Sequence, residues 1–158
     1  MIKRVRRVVT GQTSDQAGLV THVEEVKPIE LGNDMLAHDV WSWHEIPTLP
    51  YCNQEPYEGR DPDQASHGHS GAGHVNVVIL PPESETELYS TDDMQIAFIL
   101  CGEAVLVEAD GTEVTCGAGD VVIQNGTLRA WHNRRPEPCT VGYVALYAHR
   151  TEPLAQTA

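Results

Sequence analysis

Gly102-Glu103-Ala104-Val105-Leu106-Val107-Glu108-Ala109-Asp110-Gly111-Thr112-Glu113-Val114-Thr115-Cys116-Gly117-Ala118-Gly119-Asp120-Val121-Val122-Ile123-Gln124-Asn125-Gly126 is the stretch whose reading decides the fold. Three short apolar runs, Ala104 to Glu108, Glu113 to Cys116 and Val121 to Gln124, are separated by turn residues. Asp110-Gly111 favours a tight hairpin, because both residues accept positive φ. Gly117-Ala118-Gly119 and Asn125-Gly126 punctuate the chain in the same manner. Working outward, Gln95 to Cys101, Arg129 to Asn133, His74 to Leu80 and Thr140 to Ala148 have strand length and composition. Nearer the start, Val5 to Val9 reads as a strand stopped by Thr10-Gly11. Leu19 to Val26 is stopped by Pro28, and Met35 to Ile46 alternates. No segment has a helical period, so the chain is predicted to be all-β, a sandwich or barrel.

The chain has 158 residues, enough for one domain over 1–150 with a tail over 151–158. At this size a core forms without disulfide or metal. The formal net charge is −13, which repels phosphate backbones and anionic lipid and argues against nucleic acid or membrane partners. No apolar run is long enough for a membrane span, and no apolar segment follows the basic start. Cys52, Cys101, Cys116 and Cys139 form no close pair, so reduced thiols in a cytoplasmic protein are expected. Residues 47–73 are rich in proline, acids, glycine and histidine and read as a long loop.

The segment from Pro81 to Asn133 resembles the two sequence motifs of the cupin superfamily. The first motif, G-x5-H-x-H-x3,4-E-x6-G, closes on Gly102; its glutamate place falls on Gln95, its histidine places on Tyr89 and Thr91, and its opening glycine on Glu83. The second, G-x5-P-x-G-x2-H-x3-N, runs from Gly119 with one residue fewer. Gly126 and Asn133 match, Gln124 stands for the proline and Arg129 takes the histidine place. Arg6-Arg7-Val8-Val9-Thr10-Gly11 is also similar to single-domain cupins of small-molecule pathways. The resemblance implies a double-stranded β-helix, or jelly-roll, barrel with additional N-terminal strands. It also implies a homodimer, for which the strand at Val5 to Val9 is one candidate edge.

In metal-binding cupins three histidines and a glutamate hold a divalent ion inside the barrel. Here all four places are changed, to Tyr89, Thr91, Gln95 and Arg129. Phenol, hydroxyl and amide are poor ligands, and a guanidinium repels a cation. No cofactor is therefore expected in that place. Tyr89, Thr91 and Gln95 share parity with Ala97 and Ile99, and Arg129 shares it with Trp131 and Asn133, so all should face the barrel interior. An inward guanidinium needs an anion, and a carboxylated or enolic metabolite would supply one. The expectation is a metal-independent lyase or isomerase performing dehydration, isomerisation, cyclisation or decarboxylation. Arg129, Tyr89 and a loop histidine, His69, are the candidate catalytic groups. Tyr89 would serve as an acid, or as a base if Arg129 lowers its pKa. Thr91, Gln95, Ala97, Trp131 and Trp43 are the candidate substrate contacts. Two alternatives stay open: a divalent metal held at a non-standard site by His67, His69 and His74, and a cupin that binds a small ligand without catalysis.

Overall fold

The computed structural model describes residues 4–12, 18–43 and 72–148. The expected loop up to residue 71, the tail from 149, Cys52, His67 and His69 lie outside the described residues. Among those described, regular structure consists of strands alone. β1 (Arg6–Gln12) and β2 (Gly18–Glu25) form a hairpin by themselves. β3 (Ile29–Gly32), β4 (Met35–Trp43), β5 (Gly73–Leu80), β7 (Asp93–Cys101), β10 (Val121–Gln124) and β12 (Cys139–Tyr147) make a six-stranded sheet in the order β10-β7-β12-β5-β4-β3. β6 (Ser84–Glu85), β8 (Glu103–Glu108), β9 (Glu113–Gly117) and β11 (Arg129–Asn133) make a four-stranded sheet in the order β6-β11-β8-β9.

Most strands fall within a residue or two of where the sequence places them. The first strand runs through Thr10-Gly11, the expected stop; the chain passes that point with a shift of register between Val9 and Thr10. β5 begins at Gly73, inside the stretch expected to be loop, because Trp43 of β4 pairs with it. Two strands carry no clear signal in the sequence. β3 is short and exposed, and it turns into β4 through Gly32, Asn33 and Asp34, all at positive φ. β6 is only Ser84–Glu85.

The two larger sheets face each other and close the core between them. Ala37, Val78, Leu80, Ala97, Ile99, Val141 and Tyr143 point inward from the six-stranded sheet, and Ala104, Leu106, Cys116 and Trp131 meet them from the four-stranded sheet. This is the alternation expected of strands with one buried face. Cys101 is only partly buried, whereas Cys116 and Cys139 are buried; all three are free thiols. Burial, with smaller contributions from neighbouring Cys101 and Cys116, pushes the Cys139 thiol up to about 11.

Two residues of the sequence motifs act as fasteners. The fully buried Asn133 donates through Nδ2 to the carbonyls of Leu80, Pro81 and Glu137, and its Oδ1 accepts from Arg135 N. It thus joins the end of β5 to the turn before β12. Gly102, at φ +83°, turns β7 into β8 where a Cβ would stand 2.8 Å from Pro138 O and 3.0 Å from Cys139 Cα. Gly111 has the same φ of +83° but open space around it. Gly111→Ala should therefore lose only the left-handed backbone penalty, roughly 1–2 kcal/mol. Gly102→Ala adds a collision with backbone and should lose at least about twice as much. Urea denaturation of the two variants tests this, and equal losses would contradict the close approach.

Candidate functional site

The inner face of the six-stranded sheet changes character along its length. Ile99, Val141, Val78 and Ala37 form one inward row across four strands. One step along lie Val122, Ala97, Tyr143, Asn76 and Asp39, and one further lie Gln124, Gln95, Ala145, His74 and Ser42. Asp93 and Tyr147 pair at the next position. The barrel is apolar at one end and polar at the other, and the polar end holds the candidate site.

Arg129 is the centre of that end. It is wholly buried on β11. Nη2 donates to Gln95 Oε1 at 2.8 Å and to Thr91 Oγ1 at 3.2 Å, and Nη1 donates to the Thr127 carbonyl at 3.1 Å. Arg129 and Tyr89 exchange backbone hydrogen bonds, and this puts the guanidinium carbon 4.6 Å from the centre of the Tyr89 ring. That is within cation–π range. Nε has no partner, and no ion pair among the described residues includes Arg129. A buried cation without a counter-ion costs several kcal/mol, only part of which neutral acceptors recover.

The structure thus brings Tyr89, Thr91, Gln95 and Arg129 into one cluster. Ala97 lies one row deeper, and Trp131 sits in the core beneath, its indole Nε1 unpartnered. Trp43 is not brought there. It pairs with Gly73, whose absent side chain leaves room for the indole, and it shares with Trp41 and Val75 the face turned away from the barrel interior. His74 faces inward and leans on Tyr147 at 5.8 Å between ring centres. It stands two strands from Gln95, roughly 10 Å away at ordinary strand spacing. His38 is buried on the outward side of β4.

Several site groups are not among those the sequence suggests. Asp93 is buried; its Oδ2 accepts from Gln95 Nε2 at 3.3 Å and its Oδ1 has no partner. Gln124 lies beside Gln95 with both amide atoms buried and unpartnered, and Asn76 Oδ1 and Asp39 Oδ2 are in the same condition. Buried polar atoms are normally satisfied, so such a concentration marks a place built for something polar. The parity that places Gln95, Ala97 and Ile99 extends to Asp93, because β7 begins two residues before the apolar run that signals it.

The four positions that correspond to metal ligands do not suit a divalent ion. A guanidinium hydrogen-bonded to both Gln95 and Thr91 occupies their midst, and the oxygens it engages are neutral. Among the described residues no group of three or more His, Cys, Asp or Glu side chains comes together to hold a metal. No described helix is long and apolar enough to cross a membrane.

No protein-family model matches the chain, and no curated protein is similar to it in sequence. Solved structures do resemble it. The cupin domain of Schizosaccharomyces pombe Cnp3 superposes with a TM-score of 0.56 at 12% identity, covering 90% of this chain and 88% of that one. An RmlC-like cupin from Shewanella frigidimarina gives 0.54 at 11% identity, covering 79% and 86%. KdgF from Halomonas sp. gives 0.53 at 8% identity, covering 77% and 89%. The fold is a cupin barrel. Its N-terminal hairpin, β1 and β2, pairs with neither sheet of that cupin barrel.

Two tyrosines inside the cupin barrel have shifted proton affinities. Burial raises the pKa of Tyr89; Arg129 pulls the other way but is outweighed, and Asp93 adds to the rise. The net shift therefore runs opposite to the one that a Tyr89 base would need and favours the protonated phenol. Burial also pushes Tyr143 well above its usual range. The unfolded chain releases these protons first, near pH 10, so it binds fewer protons than the native state above that pH. Stability should be at its full value below pH 10 and fall as pH rises beyond it. Absorbance titration at 295 nm should show a late phase, above pH 10, worth two of the five tyrosines. Tyr143→Phe should remove one late phase, and simultaneous ionisation of all five in the folded protein would contradict the buried placement.

Proposed function

We propose that the chain is a metal-independent cupin enzyme that binds a small carboxylated or enolic metabolite and moves protons on it. The observation that carries this reading is the buried guanidinium of Arg129, which has neutral acceptors, an unpartnered Nε and no ion pair among the described residues. A carboxylate or enolate completes its hydrogen bonding and neutralises it. Gln95 and Thr91 hold the guanidinium in plane, and Ala97 and Trp131 give the pocket apolar walls.

The unpartnered Oδ1 of Asp93 suits it to take a proton from carbon beside the bound anion. Arg129 would stabilise the enolate so formed. Tyr89, kept protonated by burial, would give its own proton to the other carbon in an isomerisation, or to a departing hydroxide in a dehydration, releasing water; the proton left on Asp93 would then pass through solvent to the phenolate and restore both groups. Cyclisation and decarboxylation are variants of the same enolate chemistry. His74, at the far side of the polar end, would contact the distal part of a longer substrate.

The test is exchange. Incubated in D2O with a panel of small 2-oxo and 3-hydroxy carboxylic acids, the wild type should wash deuterium into one member beside its carbonyl or carboxylate, as read by proton NMR. Arg129→Gln should weaken binding of that acid about 100-fold, the worth of a charged hydrogen-bond pair. Asp93→Asn should keep binding and lose exchange. Binding without exchange or turnover would favour a ligand sensor, and unchanged behaviour of Arg129→Gln would remove the pocket assignment.

A further inference from the structure

The two sides of the polar end differ in the sense of their hydrogen bonding. Around Arg129 the unpartnered atoms include donors: its own Nε, and the Nε2 of Gln124, which stands opposite Gln95. Across the sheet, on β5 and β4, the unpartnered inward atoms among the described residues are acceptors. Asn76 Oδ1 and Asp39 Oδ2 are both covered from solvent and without a partner, and the two residues are direct neighbours in the ladder. Parity aims both into the barrel, because Ala37 and Val78, two positions along the same strands, pack in the core. Asn76 is 6% exposed, and no ion pair among the described residues includes Asp39.

Two adjacent acceptors, one of them a carboxylate, are matched by an ammonium group. A hydroxyl has one proton to give and serves one of them, whereas an ammonium has three and brings a compensating charge. The balance of charge agrees. The inward ionised groups of this end are the Arg129 guanidinium and the Asp93 and Asp39 carboxylates, with His74 counted as neutral. A ligand bearing only a carboxylate would set three anionic groups around one cation in an interior that screens poorly. An amino group at the far end of the same ligand supplies a second cation there, and a hydroxyl does not.

We infer that the ligand of this pocket is a zwitterion: a small carboxylic acid with a primary amino group at its other end, its carboxylate on Arg129 and its ammonium on Asn76 Oδ1 and Asp39 Oδ2. This rests on the reading of Arg129 as an anion site and adds the feature that selects among acids. β5 and β4 are the second and third strands from β7, roughly 10 and 14 Å across the sheet at ordinary spacing. Both ends of the ligand lie inward of the strands that hold them, so its own span is shorter, a chain of a few carbons. Asn76 and Asp39 thus determine specificity. An acid without the amino group leaves their buried oxygens unpaired and is rejected on that account.

Calorimetric titration of wild type, Asp39→Asn, Asn76→Ser and Arg129→Gln tests this. The probes are 4-aminobutanoate, 5-aminopentanoate and 6-aminohexanoate, each against its parent acid, butanoate, pentanoate or hexanoate. Wild type should bind at least one amino acid tenfold or more tightly than its parent, the worth of a charged hydrogen bond. In Asp39→Asn that ratio should fall to about one while the parent acid binds as before, and Asn76→Ser should lower it as well. Arg129→Gln should weaken both members of the pair. Parent acids that match the amino acids in wild type, or a full ratio in Asp39→Asn with wild-type circular dichroism, would overturn the inference and leave the acid pocket standing. An Arg129→Gln protein that binds every probe like wild type, or a wild type that binds none, would remove the pocket reading and the inference with it. If Asp39→Asn does not fold, the ratio in Asn76→Ser decides.

Discussion

A cation sits inside this barrel with only neutral oxygens to hold it. Arg129 is fully buried, bonded to Gln95, Thr91 and the Thr127 carbonyl, and stacked over Tyr89. The nearest acid in the hydrogen-bonded chain, Asp93, reaches it only through the Gln95 amide. Removing a guanidinium from water without a full counter-charge works against stability. The rest of the architecture offsets that cost: a long ladder joins β7 to β12 and β5, Asn133 fastens the turn before β12, and the apolar end of the barrel packs around Trp131. The unfavourable placement is concentrated where buried polar atoms lack partners, and this is the usual signature of a site shaped for a ligand.

The gradient from apolar to polar along the barrel explains how one fold serves both ends. Rows containing Ile99, Val141 and Val78 supply the burial that holds the sheets together. Rows containing Gln95, Gln124 and His74 use the same backbone pairing to aim polar groups into the interior. Because side chains alternate with a period of two, the polar rows do not disturb the outward face, which is free to be apolar. The interior and the outward face therefore form separate surfaces on one sheet.

Much of this is legible in the sequence. Asp110-Gly111 forms its turn as expected, with Gly111 at positive φ and Asp110 Oδ1 accepting from Thr112 N. The parity that puts Tyr89, Thr91, Gln95 and Arg129 on one side is sufficient to assemble the cluster. Other features are not legible, for physical reasons. β3 is too short and exposed to show a pattern, and Asp93 looks like a turn residue beside Asp92. Trp43 and Trp41 do share a face, but which side of a sheet a residue faces depends on long-range register, and a shift between Asp39 and Trp41 alters it. The balance between burial and Arg129 at Tyr89 is a three-dimensional quantity that spacing does not carry.

Whether the Arg129 guanidinium receives an organic anion is the central question. Selective observation of arginine Nε–H resonances by 15N NMR, during titration with small 2-oxo and 3-hydroxy carboxylic acids, addresses this directly. The Arg129 Nε–H signal, assigned by its loss in Arg129→Gln, should move saturably and downfield with one class of acid while the exposed arginines respond weakly. A signal that stays fixed while the protein binds such an acid elsewhere would contradict the assignment of this guanidinium as the anion site.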